Sequence, residues 1–123
     1  MGLKRILDTS VVLYQLAGRV AEHMGEGEFC ISVITELELF SYPAISASEE
    51  QQVRTFIAGV TVIGLTRKIR EATIRLRRSY ALRLPDAIIA ATALSFEAEL
   101  LTNDKHLLRP PGIRARQVTP MGL

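Results

Sequence analysis

The sequence predicts an α/β protein: a three-layer α/β/α sandwich around a mainly parallel sheet of four to five strands, with residues 1–123 forming a single domain. Three observations predict it. Short apolar runs alternate with longer stretches that open on helix-capping residues, the order produced when helices cross over between parallel strands. One run, FCISVI at 29–34, is apolar without alternation, as in a strand covered on both faces. Finally, 48% of the 123 residues are hydrophobic, which fits one domain with one core.

The elements follow in order. Residues 3–7 (LKRIL) form a short strand that stops at Asp8, and Ser10 can cap a helix from Val11 to about Ala21. GEGE is a loop before the second strand at 29–34. Thr35 opens the next helix, with Glu38 at capping-box spacing, and Tyr42-Pro43 closes it because the residue before proline avoids the helical region. Ser46 with Glu49, or Ser48 with Gln51, can cap a helix to about Ala58, which Gly59 ends. VTVIGL is a third strand. Thr66 caps a long helix to about Leu82, and Pro85 fits the first turn of another that runs to about Phe96. ELLT is a fourth strand, ending at Asn103-Asp104, and Arg114–Val118 reads as a fifth.

Composition excludes several classes. Cys30 is the only cysteine, so no internal disulfide forms; it reads as a small buried hydrophobe in a cytoplasmic protein. The longest apolar run, AIIAATAL, is too short to span a bilayer, and Asp8 interrupts any signal-like stretch at the N-terminus, so no membrane is implied. There is no nucleophile elbow, Walker loop or zinc spacing. His23 and His106 are the only histidines, and both read as exposed.

The acids carry the chemistry. In open parallel sheets, ligands sit outside the carboxyl ends of the strands. Asp8 ends the first strand, Glu36 and Glu38 follow the second, Asp104 ends the fourth, and Asp86 opens the helix LPDAIIAATAL on the same rim. Each alone reads as a turn or cap residue. Together they form a set of carboxylates that repel one another unless a cation intervenes. Oxygen donors without sulfur or imidazole suit Mg²⁺ or Mn²⁺.

These segments, ILDTSVV, ISVITELELF, LPDAIIAATAL and LLTNDKHL, taken in order over nearly the whole chain, resemble the four acidic motifs of the PIN domain family, especially the VapC-type toxins of toxin–antitoxin pairs. The resemblance places the family's acids at Asp8, Asp86 and Asp104. Its pattern over Ser32, Thr35, Glu38 and Leu39 places the glutamate at Glu38, leaving Glu36 as the alternative acid. Two positions apart on a helix means nearly opposite faces, so both do not serve one ion. Thr9, Ser10, Thr35 and Thr102 fall at supporting positions. The resemblance implies a PIN-like fold and an RNA endonuclease dependent on one or two Mg²⁺ or Mn²⁺ ions, acting as the toxin of a type II pair, with a cognate antitoxin protein and a homodimeric state. The alternative is a catalytically inactive PIN-fold module that binds RNA or protein; a hydrolase of small phosphoesters ranks below both.

A basic helix adds to the RNA expectation. On the helical wheel, Ile69, Ala72, Thr73, Leu76 and Tyr80 form a core arc, and Arg67, Lys68, Arg70, Arg75, Arg77 and Arg78 fall opposite, with Ile74 exposed among them. Read as a solvated face they need no function. Read as an RNA surface, Arg67, Arg70, Arg77 and Arg78 contact phosphates beside the metal site.

Overall fold

In the computed structural model, which describes residues 4–20 and 27–121, five parallel strands form one sheet. The elements run β1 (Lys4–Leu7), α1 (Thr9–Leu16), β2 (Glu28–Ser32), α2 (Val33–Phe40), α3 (Ala47–Ala58), β3 (Thr61–Ile63), α4 (Arg67–Tyr80), α5 (Leu84–Ser95), β4 (Glu99–Thr102), a 3-10 turn (Lys105–Leu107) and β5 (Arg114–Gln117). The strand order is β3-β2-β1-β4-β5, so β1 is central and Asp8 leaves the middle of the sheet. This is the three-layer α/β/α, PIN-like architecture expected from the sequence.

Period-two alternation builds the layers. Ile6, Cys30 and Leu100 face one side with Ile69, Leu76, Ala87 and Ile89 of α4 and α5. Their neighbours Leu7, Ile31 and Leu101 face the other side with Val11, Val12, Leu39 and Val53 of α1, α2 and α3. Both faces of the central strands are thus covered, which is why the run FCISVI at β2 shows no alternation. Helix α5 is buried from Asp86 to Ala93. Its alanines let it lie close to both the sheet and α4. Cys30 is fully buried, as its setting predicts. No helix among the described residues is long and apolar enough to cross a membrane.

Several boundaries differ from expectation. Helix α1 is capped by Asp8, not Ser10, because the strand turns into helix with no intervening loop; it stops at Leu16, and Gly18, at φ 69°, takes the left-handed position after it. Ala21 and His23 lie outside the described residues. Helix α2 starts at Val33 with Ser32 as its cap, so the capping box expected from Thr35 and Glu38 does not form. Val33 and Ile34 continue the apolar pattern of β2 into the first helical turn, and apolarity alone cannot mark that change of period. The box of Ser46 and Glu49 is present at α3, and Thr66 caps α4. Tyr80, expected in the core, is 42% exposed: Ala81 turns left-handed at φ 52° and Leu82 takes the buried place.

Candidate functional site

The carboxyl edge of the sheet brings Asp8, Glu38, Asp86 and Asp104 into one cleft, together with Thr9, Ser10, Tyr14, Arg83 and Asn103. The four acids come from β1, α2, α5 and the end of β4. Glu36, in the first turn of α2, is not among the lining residues.

Asp8 is the most constrained. Its backbone N–H donates to Leu101 O at 2.9 Å, fixing it to β4. Its carboxylate accepts from Thr9 N at 2.8 Å, from the Thr102 hydroxyl at 2.7 Å and from the Ser10 hydroxyl at 3.2 Å. None of these donors is cationic. Burial pushes the Asp8 carboxyl above its ordinary range; the hydroxyl and N–H donors pull against that, and the charge of Asp86 adds to it. The Thr102 hydroxyl also accepts from Asp104 N at 3.0 Å, and Asp104 in turn accepts from His106 N at 2.9 Å.

Glu38 accepts from the Thr9 hydroxyl at 2.7 Å, and Thr9 lies 3.0 Å from the hydroxyl of Thr35. Thr9, Ser10, Thr35 and Thr102 therefore each touch a candidate acid or the hydroxyl that orients one. Asp86 is buried in the first turn of α5, where the helix end favours negative charge. Its carboxylate accepts from Arg83 Nε at 3.1 Å. Arg83 is held further above the ordinary arginine range by Asp86 first, with Glu38 and Asp104 adding to it, so it is a counter-charge to three of the four acids.

The donor set fits a hard divalent ion: carboxylate and hydroxyl oxygens only, with a buried carboxylate that no cation balances at Asp8. With the side chains in their present rotamers, no three acidic or imidazole side chains among the described residues close around a single point. Asp86 is turned to Arg83 and Glu38 to Thr9. Asp8, Glu38, Asp86 and Asp104 are the residues that would hold an ion here.

The sequence reading did not single out Arg83, Tyr14 or Asn103 for the site. Only its position three residues before Asp86 distinguishes Arg83 from the other arginines. Asn103 precedes Asp104 and donates to the Tyr14 hydroxyl at 3.1 Å, closing one wall of the cleft. That contact spans 89 residues, and no local pattern announces it.

The basic helix divides in two. Lys68 Nζ donates to Ser95 O, at the far end of α5 from Asp86, which puts the start of α4 about 13 Å along the helix from that acid. Arg67 pairs with Glu71 and Arg70 donates to Leu65 O there, so those two do not stand beside the acidic cleft as expected. Arg77 and Arg78 stand at the other end of α4, two turns further on. Ile69, Ala72, Thr73 and Leu76 are buried and Ile74 is exposed, as the wheel predicts.

The PIN domain family model matches residues 5–113. Among solved structures, a toxin–antitoxin complex from Klebsiella pneumoniae holds a chain 31% identical to this one, covering 97% of this chain and 99% of that one at a TM-score of 0.78. A DNA-bound VapBC from Salmonella typhimurium is 25% identical over 94% of this chain and 98% of that one, at 0.76. VapBC2 from Rickettsia felis, bound to a DNA fragment from its promoter, is 19% identical over 95% and 100% at 0.80, a likeness of fold alone. No curated protein sequence matches the chain significantly.

Proposed function

This chain belongs to the PIN domain family, and from that premise we propose that it is a metal-dependent RNA endonuclease and the toxin of a type II toxin–antitoxin pair. Family membership supports a nuclease, and the likeness to chains of toxin–antitoxin complexes supports a partner antitoxin. The finer assignments belong to the proposal: Mg²⁺ or Mn²⁺, one or two ions; RNA as substrate; a homodimer in the cytoplasm; and one PIN domain over the whole chain.

One observation carries it. Four carboxylates from four separate segments line one cleft, and the most buried, Asp8, has only neutral donors around it. Such an arrangement costs stability unless a cation completes it. Asp8, Glu38, Asp86 and Asp104 would hold a divalent ion, which would lower the pKa of a water and offset charge on the phosphate.

The protein's own part is positional. Thr102 and Ser10 fix the Asp8 carboxylate, Thr9 fixes Glu38, and the start of α5 adds positive potential at Asp86. Arg83 offsets repulsion among the acids and offers a guanidinium to a phosphate oxygen. In the hydrolysis, a water oxygen bonds to phosphorus as the bond to the leaving ribose oxygen breaks.

The rival, an inactive binding module of the same fold, draws on the Arg83–Asp86 pair, which occupies one acid without any ion. Single-stranded RNA incubated with purified protein separates the two. The nuclease cuts with Mg²⁺ or Mn²⁺, and does not cut with EDTA or after Asp86→Asn. Binding without cutting under every ion tested sinks the nuclease.

A further inference from the structure

A second cleft lies beside the acidic one, walled by Arg77, Arg78 and Tyr80 of α4 and by His106 and Arg109 after β4. We propose that this cleft is a subsite for single-stranded RNA flanking the scissile phosphate, with Arg77, Arg78 and Arg109 on backbone phosphates and Tyr80 stacking on a base. The proposal rests on the nuclease reading.

Position is the first argument. The two clefts draw their linings from the same two stretches of chain. Ala81 lines the basic one and Arg83 the acidic one, two residues apart on one connection. On the other wall, His106 lines the basic cleft and its N–H bonds Asp104 of the acidic cleft. On this proposal, a strand leaving the acids on the Arg83 and Asp104 side meets the arginines next.

Charge is the second. Among the described residues, no carboxylate pairs with Arg77, Arg78 or Arg109, whereas Arg67 is paired with Glu71 and Arg54 with Glu50. Arg77 Nε donates to Leu82 O at 3.2 Å, which steadies its guanidinium without cancelling its charge. Three uncancelled guanidiniums around one concavity favour a polyanion.

Shape is the third. At about 560 Å³ the cleft lies within the roughly 300–1,000 Å³ of ligand sites. Tyr80 is 42% exposed although its place on the wheel is apolar. An exposed ring beside unpaired arginines suits an unstacked base and has little to offer a duplex, whose bases are already stacked.

The test is binding of a labelled single-stranded RNA of about 12 nucleotides, in EDTA so that nothing is cut, across a salt series. The paired substitution Arg78→Gln with Arg109→Gln should weaken binding about tenfold or more and flatten the salt slope by about 1.4, at about 0.7 for each phosphate contact on a single strand. Arg67→Gln with Arg70→Gln removes equal charge from the far end of α4 and should change affinity by less than about twofold, since no contact there is lost. Tyr80→Ala should weaken binding about fivefold or more, the lower end of one lost stacking contact, with Tyr80→Phe close to wild type. Thermal melts confirm that the exposed substitutions leave the fold intact. Equal losses in both arginine pairs, no loss in the cleft pair, or a loss confined to binding of an acidic peptide would each overturn the subsite. RNA held through the cleft but never cut with Mg²⁺ or Mn²⁺ sinks the nuclease reading instead, and RNA cut normally by the cleft pair sinks the subsite alone.

Discussion

The Thr102 hydroxyl donates to the Asp8 carboxylate at 2.7 Å and accepts from the backbone N–H of Asp104 at 3.0 Å, so one fully buried side chain ties together two of the four acids. The parallel pairing of β1 and β4, with Leu7 opposite Leu101, sets this geometry. β4 runs one residue further than β1, so its last residue, Thr102, meets Asp8 just beyond the end of β1.

Thr102→Val keeps the shape and removes both contacts. Losing a hydrogen bond to a buried carboxylate should cost about 1–3 kcal/mol of stability. Orientation of Asp8 and Asp104 should also suffer, lowering divalent-ion affinity or cleavage by roughly 10–100-fold, as for partners that orient metal ligands. Thr102→Ser should recover most of both. Calorimetric titration with Mn²⁺ and a thermal melt check this, and a Val variant that binds the ion like wild type counts against the orienting role.

Asp8 makes stability depend on pH with a definite sign. Its folded carboxyl is held above the ordinary value of 3.8, chiefly by burial. The folded state therefore binds this proton more tightly than the unfolded state does. Its contribution is most favourable below the ordinary value, declines as pH rises through the window up to the raised folded value, and is not regained at neutral pH. Asp8→Asn should then melt higher than wild type at pH 7 in EDTA, and lose that advantage in acid. Asn still caps α1, whereas Asp8→Ala should give up about 1 kcal/mol of capping. Saturating Mg²⁺ should raise the melting temperature of wild type and not of the Asn variant. An Asn variant that melts lower than wild type in EDTA at neutral pH would falsify this account.

The motifs that mark strand ends were legible because acids interrupt apolar runs: Asp8 after LKRIL and Asp104 after ELLT stand where the chain leaves the sheet. Asp86 was legible as a charge opening an apolar helix. Contacts that depend on the third dimension were not. The Asn103–Tyr14 bond joins α1 to the end of β4, and the division of the basic helix follows from how α4 packs against α5, where Lys68 meets Ser95. A helical wheel assigns faces, not ends, so it could not separate Arg67 and Arg70 from Arg77 and Arg78. The α2 start failed for a related reason: Val33 and Ile34 suit a buried strand as well as a buried helical turn.

Glu38 and Glu36 test the register of that helix. Glu38 faces the cleft and accepts from Thr9, while Glu36 does not line it. Glu38→Gln retains an oxygen for the Thr9 hydroxyl and loses only charge. Metal-dependent cleavage should fall about tenfold or more, equivalent to about 1.4 kcal/mol of barrier, and Glu36→Gln should stay within about twofold of wild type. Cleavage rates at limiting Mg²⁺ decide. Greater damage from Glu36→Gln would mean that the wrong glutamate has been placed at the site.

Arg83 competes with any cation for Asp86. The pair closes at 3.1 Å, but the arginine side chain is 78% exposed and Asp86 only 11%. Water screens the guanidinium, so opening the pair should cost at most about 1 kcal/mol. Releasing Asp86 by Arg83→Gln should therefore tighten Mn²⁺ binding, by no more than about fivefold on that limit. The same change removes positive charge that faces Glu38 and Asp104 as well, so the gain should shrink as ionic strength rises. Cleavage need not follow affinity, because Arg83 also lies where a phosphate oxygen would meet it. Tighter Mn²⁺ binding with slower cleavage of RNA is the expected combination, read by titration calorimetry beside single-turnover rates. Weaker Mn²⁺ binding in the Gln variant would show that Arg83 holds Asp86 in place for the ion and does not compete with it.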